Sequence, residues 1–134
     1  MTVDAAVIRR LLSAASRNIA DAHVTEISSE NQFDAAYKAI MQLANLALQA
    51  NGYRTLTSKP GHHMTMIQSL SQTIGLDNQA VIALDAMRKQ RNVADYSGDI
   101  IPPSLVEECV AHAEDLHAKV VQWLEKYRAE LLEY

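Results

Sequence analysis

The sequence predicts an all-α fold, an up-and-down bundle of about five helices in one domain over residues 1–134, and three observations carry that expectation. Apolar residues make up 49% of the 134-residue chain while aromatics make up only 5%, a balance that suits helices packed on helices better than a sheet. Only four Gly and three Pro interrupt it, so long helices are easily accommodated. The apolar residues recur at steps of three and four, the period of one helix face.

A first segment, about Val3 to Ala22, sets Val3, Val7, Leu11, Ala15 and Ile19 on one face, with Arg9, Arg10 and Arg17 on others. Ser28 and Ser29 are natural N-cap residues for a second helix, whose stripe runs Phe33, Ala36, Tyr37, Ile40, Leu43, Ala44, Ala47. Asn51-Gly52 ends it, and Tyr53 to Gly61 reads as a loop. A short third helix starts at about His62 and closes at Gly75, with Ile67, Leu70 and Ile74 turned inward. Asp77 or Asn78 caps a fourth helix that runs to roughly Tyr96 and stops at Ser97-Gly98. Pro102, Pro103 and Ser104 restart the chain into a long fifth helix, in which Val106, Cys109, Ala113, Leu116, Val120, Trp123 and Tyr127 form the core stripe, widened by Val110, Leu124 and Leu131.

A formal net charge of −4 argues against a broad nucleic-acid-binding surface, which needs a basic face, but leaves room for a local basic patch. The single cysteine, Cys109, lies among apolar residues and is expected to be a buried hydrophobe rather than a reactive thiol. Without a run of about 18 apolar residues or a charged-then-apolar leader, the expectation is a soluble, cytoplasmic protein without a membrane partner. Met41, Met64, Met66 and Met87 are expected to fill the core or an interface. There is no HExxH, Walker or glycine-rich dinucleotide pattern, so neither a metal nor a cofactor is expected.

The fourth helix carries the one cluster with functional chemistry. Val81 and Leu84 share a face that continues through Arg88, Arg91, Asn92 and Asp95, with Tyr96 beside it, so an apolar stripe turns polar in its last two turns. Such a face fits a crevice or a subunit interface. Two guanidiniums suit phosphate, which arginine grips through two hydrogen bonds, and Asp95 can orient an arginine or act as a general base. The competing expectation is a set of ordinary contacts one or two turns apart on a capped helix end. His62 and His63, adjacent at the predicted loop–helix junction, are accessory candidates if that loop folds over the cluster. The alternative for them is a solvated pair at a helix start. His112 and His117 are five residues apart and share no face cleanly.

The segment Arg88-Lys89-Gln90-Arg91-Asn92-Val93-Ala94-Asp95-Tyr96-Ser97-Gly98 resembles the signature helix of HEPN (higher eukaryotes and prokaryotes nucleotide-binding) domains. Ala35-Ala36-Tyr37-Lys38-Ala39-Ile40, Asn51-Gly52-Tyr53-Arg54 and Pro60-Gly61-His62-His63 resemble the second helix, its end and the following loop of small bacterial members. The resemblance spans about residues 28 to 128, and its specific part is the Arg91-Asn92 segment. It implies a homodimer that binds RNA or nucleotide phosphate in a cleft between paired fourth helices, with Arg88 and Arg91 on the phosphate, Asn92 on Arg91 or the phosphate, and Asp95 and Tyr96 positioning the base or ribose. In its enzymatic version it implies a toxin-like or defence-related ribonuclease that needs no metal. The sequence departs from the family's Arg-x(4–6)-His pattern: Asp95, Tyr96, Ser97 and Gly98 stand four to seven positions after Arg91, without the imidazole that usually moves protons near neutral pH. The alternative expectation is therefore a non-catalytic dimeric interaction or regulatory module that partners a nucleotidyltransferase, an antitoxin or another defence protein.

Overall fold

The computed structural model describes residues 3–53, 62–98 and 100–132, with the side chains of Asp95 and Tyr96 left out. Among the described residues it holds five α-helices and a short 3₁₀ turn: α1 (Ala5–Ala22), α2 (Ser29–Ala50), α3 (His62–Thr73), α4 (Asn78–Ser97), α5 (Pro103–Tyr127) and η1 (Ala129–Leu132). No described residue is in a strand. The all-α bundle predicted from periodicity is what forms.

The caps explain where the helices begin. Asp4 lies in extended backbone and accepts from the amides of Ala6 and Val7, which starts α1 two residues later than the apolar pattern suggested. Ser28 and Asp77 cap α2 and α4 in the same way, through the amides of Asn31 and Ala80. Pro102 gives α5 no side-chain cap, and Pro103 occupies its first turn, where an amide would have had no partner. Gly75 and Gly98 have φ near +70°, a conformation side chains disfavour. Gly98 thereby donates to Ala94 and stops α4 just beyond the cluster of interest.

Helix α2 is the axis of the bundle. Phe33, Ala36, Tyr37, Ala39, Ile40, Met41, Leu43, Ala44, Leu46, Ala47 and Ala50 are all buried, which covers nearly its whole circumference. It packs against α1, α3, α4 and α5. Alanines at five of these positions let the neighbouring backbones approach closely, and the large side chains of Ile8, Ile67, Leu70, Leu116 and Leu124 fill the spaces between. Cys109 is fully buried in this core, where burial pushes its thiol up to about 12, so it acts as a hydrophobe.

Two expectations shift. In α1 the fully buried line is Ile8, Ala15 and Ala22, while Val3, Leu11 and Ile19 pack at its margin and Val7 is only partly buried, because α1 lies on α2 across the 8–15–22 seam. In α5 the stripe turns from Val120 to Leu124, which leaves Trp123 half-buried and Tyr127 exposed. The helix ends at Tyr127, and η1 folds Leu131 back into the core instead. Met41, Met66 and Met87 are buried as expected, whereas Met64 is exposed.

One polar group in this core lacks compensation. The Thr73 side chain is 7% exposed, and its hydroxyl has no hydrogen-bond partner among the described residues. Replacing a buried, unsatisfied hydroxyl by a methyl of similar shape removes a desolvation cost of about 1 kcal/mol. Thr73→Val is therefore expected to raise the thermal midpoint by roughly 3–5 °C, as measured by circular dichroism.

Candidate functional site

The polar end of α4 faces the first half of α2 and the start of α3, and six side chains meet there. Val81, Leu84 and Met87 keep the first part of the inward face of α4 apolar and buried. Arg88 and Arg91 continue it, with side chains 18% and 34% exposed. Guanidiniums reach that depth because their long apolar stems lie along the core while the charged heads find partners at its edge.

The two arginines are held differently. Arg88 donates from Nε to Asp85 Oδ1 at 2.7 Å and from Nη2 to Asp85 Oδ2 at 3.4 Å, a two-point contact one turn apart on α4. Lys89 Nζ lies 3.6 Å from the same carboxylate. Hydrogen bonding from Arg88 holds the Asp85 carboxyl below its usual range against the opposing effect of burial, and Asp85 in turn raises Arg88. Arg91 makes a looser contact, from Nε to Asp34 Oδ1 on α2 at 3.4 Å, and the Asp34 side chain is half exposed. An ion pair this long and this open to water contributes little. The Arg91 guanidinium also sits 5.1 Å from the centroid of the Tyr37 ring, within cation–π range.

Tyr37 links the third element. It is 2% exposed, so its hydroxyl needs a partner in the interior, and it finds His63 Nδ1 at 3.0 Å. Burial pushes the Tyr37 phenol up to about 12 although Arg91 and Arg88 pull it down, so the phenol stays neutral. His63 is half-buried at the start of α3, with the ring of His62 set edge-on against it at 4.4 Å between centroids. Burial first, then His62, Arg91 and Arg88, lowers the His63 pKa from its ordinary 6.5. The imidazole is accordingly neutral near pH 7.

The sequence-predicted residues therefore divide. His63 and Arg91 both contact Tyr37, and Arg88 lies near enough to act electrostatically on Tyr37 and His63, while the loop expected to fold over the cluster lies outside the described residues. Asn92 lies about 100° further round α4 than Arg91 and is exposed. The side chains of Asp95 and Tyr96 lie outside the described residues, as does most of the loop expected between Tyr53 and Gly61. Asp34, Tyr37 and Asp85 belong to the site, although sequence reasoning placed Tyr37 in the core and singled out neither aspartate. The Asp85–Arg88 spacing was a legible signal; the approach of Asp34 and Tyr37 was not. The other histidines fall elsewhere: His112 lies 3.7 Å from Glu108, and His117 Nε2 meets the Ser16 hydroxyl at 3.1 Å, which joins α5 to α1.

Arg88, Lys89 and Arg91 outnumber Asp34 and Asp85, so the described part of the site keeps an excess positive charge on a chain whose net charge is −4. Chemically it offers one firmly held guanidinium, one loosely held guanidinium and a neutral imidazole anchored by a neutral phenol. Among the described residues, no group of three or more His, Cys, Asp or Glu is placed to hold a metal ion, and no helix is long and apolar enough to cross a membrane. No family model matches the chain, and no curated protein or solved structure was found to be similar to it.

The Asp85–Arg88 pair gives a stability prediction. Asp85 has a depressed folded pKa, so its contribution is present above the ordinary carboxylate value of 3.8 and is lost as pH falls through the lower folded value. Asp85→Asn leaves a mostly buried Arg88 without its carboxylate and is expected to cost about 1–3 kcal/mol at pH 7. Urea unfolding of both proteins should show the difference narrowing once the pH drops below about 4 and vanishing only as it falls through the lower folded value, where Asp85 itself becomes neutral.

Proposed function

We propose that the chain is a HEPN-like homodimer that binds RNA or nucleotide phosphate at the Arg88–Arg91 end of α4. The observation that carries this reading is the loosely held Arg91 guanidinium, positioned by the Tyr37 ring and bonded only to a half-exposed Asp34 among the described residues. A phosphate exchanges that long contact for two charge-assisted hydrogen bonds at little cost. Arg88, committed to Asp85, adds positive potential and a rigid wall rather than a second equivalent clamp. The resemblance of the Arg91-Asn92 segment to the HEPN signature supports the same assignment. In the enzymatic version, the site cleaves RNA without a metal: a ribose 2′-hydroxyl attacks the adjacent phosphorus, and a 2′,3′-cyclic phosphate forms as the bond to the 5′-oxygen breaks. The hydroxyl proton passes to water and the departing 5′-oxygen takes one from water, with Arg91 stabilising the charge that develops on the phosphate.

A second reading, the non-catalytic module bound to another protein such as a nucleotidyltransferase or antitoxin, is favoured by the opposite face of α4. Ile82, Ala86, Lys89 and Val93 recur at helical spacing on its exposed side, with Ile82 61% and Val93 58% exposed. Such a stripe suits a helix–helix contact, either with a second copy or with a different partner.

Arg91→Ala should weaken binding of single-stranded RNA at least about tenfold and reduce the slope of log affinity against log salt by about 0.7. Titration at several salt concentrations measures both. Incubation with mixed RNA in EDTA, read on a denaturing gel, separates the versions: cleavage by wild type and not by Arg91→Ala supports the enzyme, and binding without cleavage supports the module. In sedimentation, wild type should run as a dimer and the Ile82→Asp/Val93→Asp double variant as a monomer. A wild-type monomer would remove the homodimer from the proposal.

A further inference from the structure

His63 is tied into the site in a way that survives its own protonation. When unprotonated, Nδ1 accepts the Tyr37 O–H or, in the other tautomer, donates to its oxygen; when protonated, Nδ1–H donates to the Tyr37 oxygen, which is still neutral. Tyr37 uses Nδ1 in both states, which leaves Nε2 as the ring nitrogen for another partner. The charged and titratable groups around the ring come from three helices. On α2 these are Tyr37 and, one turn before it, Asp34; on α3, the edge-on His62; on α4, Arg88 and Arg91, with Asp85 and Lys89 behind Arg88. Among these described groups cations outnumber carboxylates, so a proton on His63 is opposed while the site holds no anion. A phosphodiester beside Arg91 supplies the missing negative charge and removes that opposition. By reciprocity, whatever an anion does for proton affinity the proton does for anion affinity.

We infer that His63 is a third, proton-dependent arm of the phosphate site: a phosphodiester held by Arg91 is joined by one proton taken up on the His63 imidazole, so binding tightens as pH falls from about 8 to about 5.5. The inference rests on the phosphate-binding reading and names how that site is regulated. The unliganded protein keeps His63 neutral near pH 7, which is the condition for uptake on binding. One proton sets the ceiling, at most about a tenfold gain in affinity per pH unit.

The probe is an unlabelled oligouridylate without terminal phosphates, whose phosphodiester charge does not change across this range. Calorimetry with wild type, His63→Gln and His62→Gln at several pH values, together with NMR titration of the His63 ring in wild type with and without the oligonucleotide, tests the inference. The expected result is affinity that rises several-fold on acidification for wild type and His62→Gln and much less for His63→Gln, with the His63 midpoint moved upward in the complex. Equal pH dependence of wild type and His63→Gln, or a His63 midpoint that the oligonucleotide does not move, overturns the role of His63 and leaves the Arg91 site standing. The NMR arm uses wild type alone, so a poorly folded variant does not blur the outcome. Absence of wild-type binding at every pH overturns the phosphate-binding reading and this inference together.

Discussion

Everything in the bundle is arranged around burying α2 on almost every side. A helix with Phe33, Tyr37, Ile40, Leu43 and Leu46 spread around its circumference has no stable place at a surface, so α1, α3, α4 and α5 must each cover part of it. The alanines between those side chains decide how closely the covering helices come. Stability of the fold and position of the site are thus consequences of one helix that needs a complete coat.

The same requirement creates the polar cluster. Tyr37 is on the buried surface of α2 because its ring belongs to the core, but its hydroxyl cannot be left unpaired there. Pairing it with His63 brings the start of α3 to the end of α4, where Arg88 and Arg91 replace the apolar residues of the preceding turns. A packing demand and a hydrogen-bond demand on one residue therefore assemble side chains from three helices. The contrast between Arg88, locked to Asp85, and Arg91, resting on an aromatic ring and a half-exposed carboxylate, then separates a firmly held cation from a loosely held one.

Lower down the hierarchy, local chemistry was readable in advance. Ser28 and Asp77 behave as caps, Gly75 and Gly98 as stops, and Val81, Leu84 and Met87 as core, because each depends on neighbours within one or two turns. The change of α4 from apolar to polar was visible for the same reason. Where reading by period went astray, at Tyr127 and along α1, the cause was the crossing of one helix over another. That crossing selects which flank of a broad apolar stripe is covered, and no local pattern contains it.

By itself the sequence determined the helical class, the helix boundaries to within a few residues, the core character of α2 and the presence of a charged turn in α4. These follow from periodicity and capping, which are short-range. Only the tertiary structure decided that His63 stands by this turn while His112 and His117 do not, and that Asn92 is left exposed while Arg88 and Arg91 are partly buried. It also decided that Asp34 and Tyr37, more than fifty residues before Arg91, are its partners. Contacts of that kind depend on how three helices cross and on which buried hydroxyl must be satisfied, constraints that exist only once the core has formed.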